Sequence, residues 1–105
     1  MGKAVTAVFC LASLASTAGA TEIGSAQAKK LERLVVQDCG SCHGLTLKGG
    51  LGTPINVDRM QHYAREDLRD IILDGIPGTA MPPWRPLISE GEALWIADYL
   101  QGSLK

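Results

Sequence analysis

Two cysteines two residues apart, with a histidine directly after them, constrain this 105-residue chain more tightly than any other stretch: Cys39-Gly40-Ser41-Cys42-His43. C-x-x-C-H is the attachment signature of c-type haem. The two thiols lie close enough to add across the two vinyl groups of one porphyrin, and the adjacent histidine is then carried under the iron. Cys39 and Cys42 are therefore read as thioether anchors and His43 as the proximal axial ligand. A chain of this size buries a modest fraction of its surface and often leans on a metal, a disulfide or a cofactor. A buried haem would act as that core.

Three plainer readings of the same residues compete. A redox dithiol wants a thioredoxin-like βαβ context, and the flanking Val35-Val36-Gln37-Asp38 and Gly44-Leu45 supply none. A zinc site needs four thiol or imidazole ligands, and beyond the cluster the exported chain offers only His62. A disulfide across two intervening residues closes a tiny loop and stabilises little. Covalent haem is the reading that uses all three side chains.

The N-terminus reads as a secretory signal. Met1-Gly2-Lys3 is a short basic start, residues 4–15 are a small-residue apolar run, and Ala18-Gly19-Ala20 has the A-x-A form after which a signal peptidase cuts. Residues 1–20 are the expected signal peptide and 21–105 a single haem domain in the periplasm. A retained anchor is the weaker alternative, since Ser13, Ser16 and Thr17 break the apolar run and a span needs about 20 apolar residues. No stable membrane span is expected after cleavage. Cys10 leaves with the segment, and Phe9 stands where a lipidated cysteine would want a small neighbour. Covalent haem outside the cytoplasm fits an oxidising compartment. Without Lys3, nine Lys and Arg stand against eleven Asp and Glu. That balance argues against nucleic acid as a partner and leaves room for a local basic patch facing a redox protein.

Along the exported chain the spacing predicts helices. From Ser25, a plausible N-cap, Ala28, Leu31, Leu34 and Val35 fall on one face, with Lys29, Lys30, Glu32 and Arg33 elsewhere. This helix leads straight into Cys39. After His43 the glycines at 44, 49, 50 and 52 and the Thr53-Pro54 pair break regular structure. A ligating histidine needs an acceptor for its second ring nitrogen, and the Pro54 carbonyl or a neighbouring one is the candidate. Residues 56–64 hold at most a short turn around Met60 and His62. A helix over residues 65–74 follows, with Leu68, Ile71 and Ile72 on one face and Gly75 as its stop.

Gly78-Thr79-Ala80-Met81-Pro82-Pro83-Trp84 is the second chemical element. Small residues would let this loop cross a haem face, and Pro82 biases Met81 towards extended backbone. A lone methionine is more often core filler. With a haem at His43, Met81 becomes the candidate distal ligand, and Met60 and His62 are its alternatives. A last helix spans residues 89–101, opened by the Ser89-Glu90-Gly91-Glu92 capping box. Its apolar face is Ala93, Ile96, Tyr99 and Leu100, with Trp95 flanking, and it is expected to cross the N-terminal helix. Two protein ligands on one iron leave substrate no open position, which favours one-electron transfer over catalysis. No catalytic residue is assigned. A ligand-binding or sensor protein with a labile sixth position is the rival.

With these pieces in place the chain resembles the small class I cytochromes c: all-α, with about three to four helices around one covalently bound haem c and no sheet. More narrowly, Thr46-Leu47-Lys48-Gly49-Gly50-Leu51-Gly52 and Met81-Pro82-Pro83-Trp84-Arg85-Pro86 are similar to the NirC type, the monohaem cytochrome encoded beside the cytochrome cd-type nitrite reductase of denitrifying bacteria. The resemblance runs from about Gln37 to Leu100 and implies a cytochrome c domain over residues 21–105. It implies electron delivery to that periplasmic nitrite reductase, in denitrification, with an accessory part in maturing the enzyme's special haem as a second role.

Overall fold

The computed structural model describes residues 2–10, 12 and 22–104. Every regular element among them is helical: α1 (Ser25–Leu34), a π-helical turn (Val35–Cys39), α2 (Gly40–His43), α3 (Val57–Met60), α4 (Arg65–Asp74) and α5 (Glu90–Leu100). The all-α class read from the sequence holds.

α1 forms where the three-and-four spacing requires it. Leu31 and Val35 are buried, Leu34 is half-buried, and Lys29, Lys30, Glu32 and Arg33 are exposed. Its N-cap is Gly24 rather than Ser25: Gly24 is extended, its carbonyl accepts the Ala28 N–H at 2.9 Å, and no side chain caps the helix. Nor does α1 run regularly into Cys39. The Gly40 N–H donates to the Val35 carbonyl five residues back, widening one turn directly ahead of the thiols. Such π turns are single-turn insertions inside α-helices, and the periodicity of a short apolar face does not reveal them.

α4 begins and ends where the sequence puts it. Its buried residues are Leu68, Ile72 and Leu73, while Ile71 is only half-buried. The inward stripe is rotated one residue further on than expected because α5 lies along that side. The orphan carbonyls of its last turn are taken by chain that folds back: Ile71 by the Gly75 N–H, Ile72 by Trp84 N–H and Leu73 by Arg85 N–H, at 2.9, 3.1 and 3.0 Å. The loop carrying Met81 is therefore closed at its base onto α4.

α5 opens on the predicted capping box. Glu92 N–H donates to Ser89 Oγ at 3.1 Å and Ser89 N–H to Glu92 Oε1 at 3.0 Å. Ala93, Ile96, Ala97 and Leu100 are buried. Ala97 replaces Tyr99 in the expected stripe, because the small side chain suits the close approach and the tyrosine stacks on Trp95, centroids 5.4 Å apart. α1 reaches α5 through Gln27 Nε2, which donates to Glu92 Oε2 at 3.1 Å. Arg65 clamps Asp98 with two bonds of 2.8 and 2.7 Å, and Gln101 Nε2 donates to the Met60 and Tyr63 carbonyls.

The core draws on α1 and the π turn through Leu31 and Val35, on α3 through Met60, on α4 through Leu68, Ile72 and Leu73, on the α5 stripe, and on Ile88 just ahead of α5. Full burial of such a side chain is worth about 1.5–3 kcal/mol. No charged or polar residue is buried among the described residues. Residues 2–10 form no regular element, and Val5, Val8 and Phe9 are 90, 82 and 87% exposed. The expected cleavage motif at Ala18-Gly19-Ala20 lies outside the described residues. Among those residues no helix is long and apolar enough to cross a membrane.

Candidate functional site

Cys39, Cys42 and His43 belong to one helical unit. Cys39 closes the π turn and packs against the core, while Cys42 and His43 sit on α2, the cysteine exposed and the histidine half-buried. The thiols are not joined in a disulfide. Burial, aided by the neighbouring Asp38 carboxylate, pushes the Cys39 thiol up to about 11. Reactive redox dithiols sit at depressed values instead. Among the described residues no three His, Cys, Asp or Glu side chains converge as a metal set. The raised Cys39 value is unlike that of a redox dithiol, and no three-ligand set forms around the motif among the described residues.

His43 is held from its far side. Its Nδ1 lies 2.7 Å from the Thr53 carbonyl, so the neighbour of Pro54, not Pro54 itself, supplies the acceptor. With Nδ1–H donating there, Nε2 is the nitrogen left to bind an iron. The loop comes back to this point because Gly49 N–H donates to the His43 carbonyl at 2.8 Å and Gly52 N–H to the Cys42 carbonyl at 2.7 Å. Gly52 is required by contact: a Cβ on it would stand 2.8 Å from His43 Nδ1 and 2.9 Å from its Cε1. Backbone lies flat against the imidazole there, and only glycine leaves room.

Met81 lies on the separate loop between α4 and α5 and is half-buried. Ile76 N–H donates to its carbonyl, and its own N–H donates to Thr79 Oγ1, both at 3.3 Å. Gly75 sits beneath it with φ +65°, where a Cβ would meet the Met81 carbonyl oxygen at 2.6 Å. Of the alternatives, Met60 is 7% exposed inside the core and His62 is exposed on the turn after α3. Trp84 packs partly buried against the core.

These residues fit a covalent haem. The two thiols and the imidazole project from one short stretch, the imidazole keeps one ring nitrogen free, and a thioether stands on a second constrained loop. Apolar side chains turn to solvent on both loops: Leu45 and Leu51 after His43, 73 and 95% exposed, and Ile76 before Met81, 44% exposed. A flat apolar group would cover such surface. A cavity of about 310 Å³, lined in part by Leu47, Ile55, Val57 and Leu100, opens between the histidine loop and the end of α5.

Sequence reasoning named the chemical side chains and, in a carbonyl beside Pro54, the acceptor for the imidazole; it missed the Gly52 contact and the Thr79 hydroxyl. The Thr53 carbonyl, the Gly52 contact and the Thr79 hydroxyl act through backbone approach. A further legible signal was the Thr79 position, two residues before Met81 in a Pro-Gly turn, where Ser and Thr hydroxyls commonly bond nearby backbone.

Comparison with known proteins bears on the family and the fold. Residues 26–100 match the family described as cytochrome C oxidase, cbb3-type, subunit III. The chain is similar to cytochrome c55X of Paracoccus denitrificans, 58% identical over 87 residues that cover 83% of this chain and 84% of that protein. Among solved structures it is similar to the c-type cytochrome NirC, with a TM-score of 0.73 and 42% identity over 75% of this chain and 93% of that one. It is also similar to part of the dihydro-heme d1 dehydrogenase NirN, solved in complex with DHE. There the TM-score is 0.61 and the identity 28%, covering 67% of this chain and 15% of NirN.

Proposed function

The chain belongs to the NirC-like class I c-type cytochromes, a family of electron carriers with covalent haem c, and from that premise we propose that it is a periplasmic monohaem carrier with iron held between His43 and Met81. The observation that carries this reading is the 2.7 Å contact of His43 Nδ1 with the Thr53 carbonyl. A backbone acceptor fixes the tautomer and ring orientation and raises the basicity of the other nitrogen.

The residues divide the work. Cys39, closing the π turn, and Cys42, on α2, would each contribute a sulfur to a thioether that anchors the porphyrin. Thr53 and Gly52 hold the imidazole from behind, and the 75–84 loop presents the Met81 thioether on the second side. When bound, the haem supplies a one-electron ferric/ferrous couple whose potential a methionine opposite a histidine raises. With His43 and Met81 both holding the iron, no site for substrate would remain, which supports a carrier over an enzyme. Residues 1–20 are a signal peptide removed on export. The open apolar surface of Val5, Val8 and Phe9 supports a segment that is no part of the packed domain.

The partner is a periplasmic nitrite reductase of the cytochrome cd type, to which the carrier delivers electrons. Likeness to NirC supports this role. Stopped-flow mixing of reduced cytochrome with oxidised reductase tests it: oxidation that speeds up with reductase concentration and slows with salt is the expected result. Oxidation that no reductase concentration accelerates contradicts it. A second reading, an accessory part in maturing the reductase's haem, is favoured by the likeness to a portion of the dihydro-heme d1 dehydrogenase NirN.

A further inference from the structure

We propose that Thr79 is a positioning residue for the sixth ligand: its hydroxyl closes the Met81 loop on itself and sets how often the thioether leaves the iron. The inference rests on Met81 as the distal ligand. Thr79 Oγ1 donates to the Ile76 carbonyl at 2.7 Å and accepts the Met81 N–H at 3.3 Å, while the Ile76 N–H donates to the Met81 carbonyl at 3.3 Å. Together these bonds form a closed ring through Ile76, Thr79 and Met81 that engages both backbone polar groups of the methionine. Among the described residues, Thr79 supplies the only side-chain hydrogen bonds made inside the 75–84 loop. Covalent restraint surrounds the ring: Pro77 follows Ile76, Pro82 and Pro83 follow Met81, and each fixes one φ angle. Gly75 closes the floor, with no space for a Cβ beneath the Met81 carbonyl.

The consequence is specific to this side of the site. The base of the loop is held by Trp84 and Arg85 on the α4 carbonyls and does not depend on Thr79. Without the hydroxyl the loop stays attached at both ends, yet the Met81 amide loses its partner and the segment around the thioether is free to swing. The fold should survive and the ligand should become labile.

Exchange kinetics on the ferric holoprotein test this. At saturating imidazole the rate of replacement levels off at the rate with which Met81 leaves, read as loss of the near-infrared sulfur-to-iron band. Thr79→Val keeps the shape and removes the hydroxyl, so the limiting rate should rise roughly three- to tenfold. Thr79→Ser keeps the hydroxyl and should stay within about twofold of wild type. Ser103→Ala removes a comparable exposed bond, from Ser103 Oγ to the Asp98 carbonyl, far along the chain from the loop, and should leave the rate unchanged. A limiting rate for Thr79→Val equal to that of wild type overturns the positioning role and leaves Met81 as ligand. Equal increases in Thr79→Val and Ser103→Ala also overturn it, since general destabilisation would then be the cause. If the band is missing from the wild type, Met81 is not the ligand and both readings fall.

Discussion

The two loops that would face a haem are built on different principles. On the histidine side, residues 39–53 continue a helix whose residues reach the core, and the chain returns to press Gly52 against the imidazole and offer the Thr53 carbonyl to Nδ1. On the methionine side, residues 75–84 leave α4, make a small ring of hydrogen bonds with Met81, and come back to the same helix end. The first is fixed by packing against a ring, and the second by backbone bonds on an exposed loop. Contacts of the first kind fail when volume is added, and those of the second kind fail when a donor or acceptor is removed. The histidine side should therefore be slow to open and the methionine side labile.

Adding volume on the histidine side should have the largest effect. Gly52→Val places a branched side chain where even a Cβ would be 2.8 Å from Nδ1, so the ring or the loop has to move. Overpacking of this kind costs about 3 kcal/mol. Loss of most holoprotein, measured as covalent haem per polypeptide, is the expected outcome; normal haem content with an unshifted His43 ring resonance would count against the contact. Gly75→Ala should be milder. It strains a residue at φ +65° and crowds the Met81 carbonyl, at about 2 kcal/mol, and should weaken the near-infrared band while leaving covalent haem intact. Equal haem loss in both variants would erase the contrast between the two sides.

Much of this arrangement can be read from the residues, and the exceptions share a cause. The capping box at Ser89 and the limits of α4 are local signals, complete within a few positions, and both were legible. Cys39, Cys42, His43 and Met81 stand out because their chemistry is written in the chain itself. Gly24 rather than Ser25 as a cap, Thr53 among the carbonyls beside Pro54 as acceptor, and Ala97 rather than Tyr99 in the core stripe are decided by which backbone approaches which. The π turn at Val35–Cys39 belongs to the same group, since it is an extra residue of rotation that a hydrophobic pattern carries no mark of. Apolar periodicity identifies a face to within about a residue or two, and tertiary contact chooses the residue.

The smallest effect lies away from both loops and shows that the contrast is local. Bonds from the Ser89 amide and then from Gln27 hold the Glu92 carboxyl below its ordinary value of 4.5. A depressed folded value favours the charged form, so this contribution is complete above about pH 4.5 and is lost as pH falls through the folded value. Glu92→Gln should be slightly less stable than wild type at pH 7 in denaturant titrations, and the gap should narrow as pH falls below 4.5. It should move neither haem content nor the near-infrared band.

The central claim is that one iron sits between His43 and Met81, and the near-infrared spectrum of the ferric holoprotein tests it most directly. Wild type and Met60→Leu should both carry the sulfur-to-iron band, and Met81→Ala should lack it while keeping its covalent haem. A band that survives in Met81→Ala, or that disappears in Met60→Leu with the fold intact, would contradict the assignment.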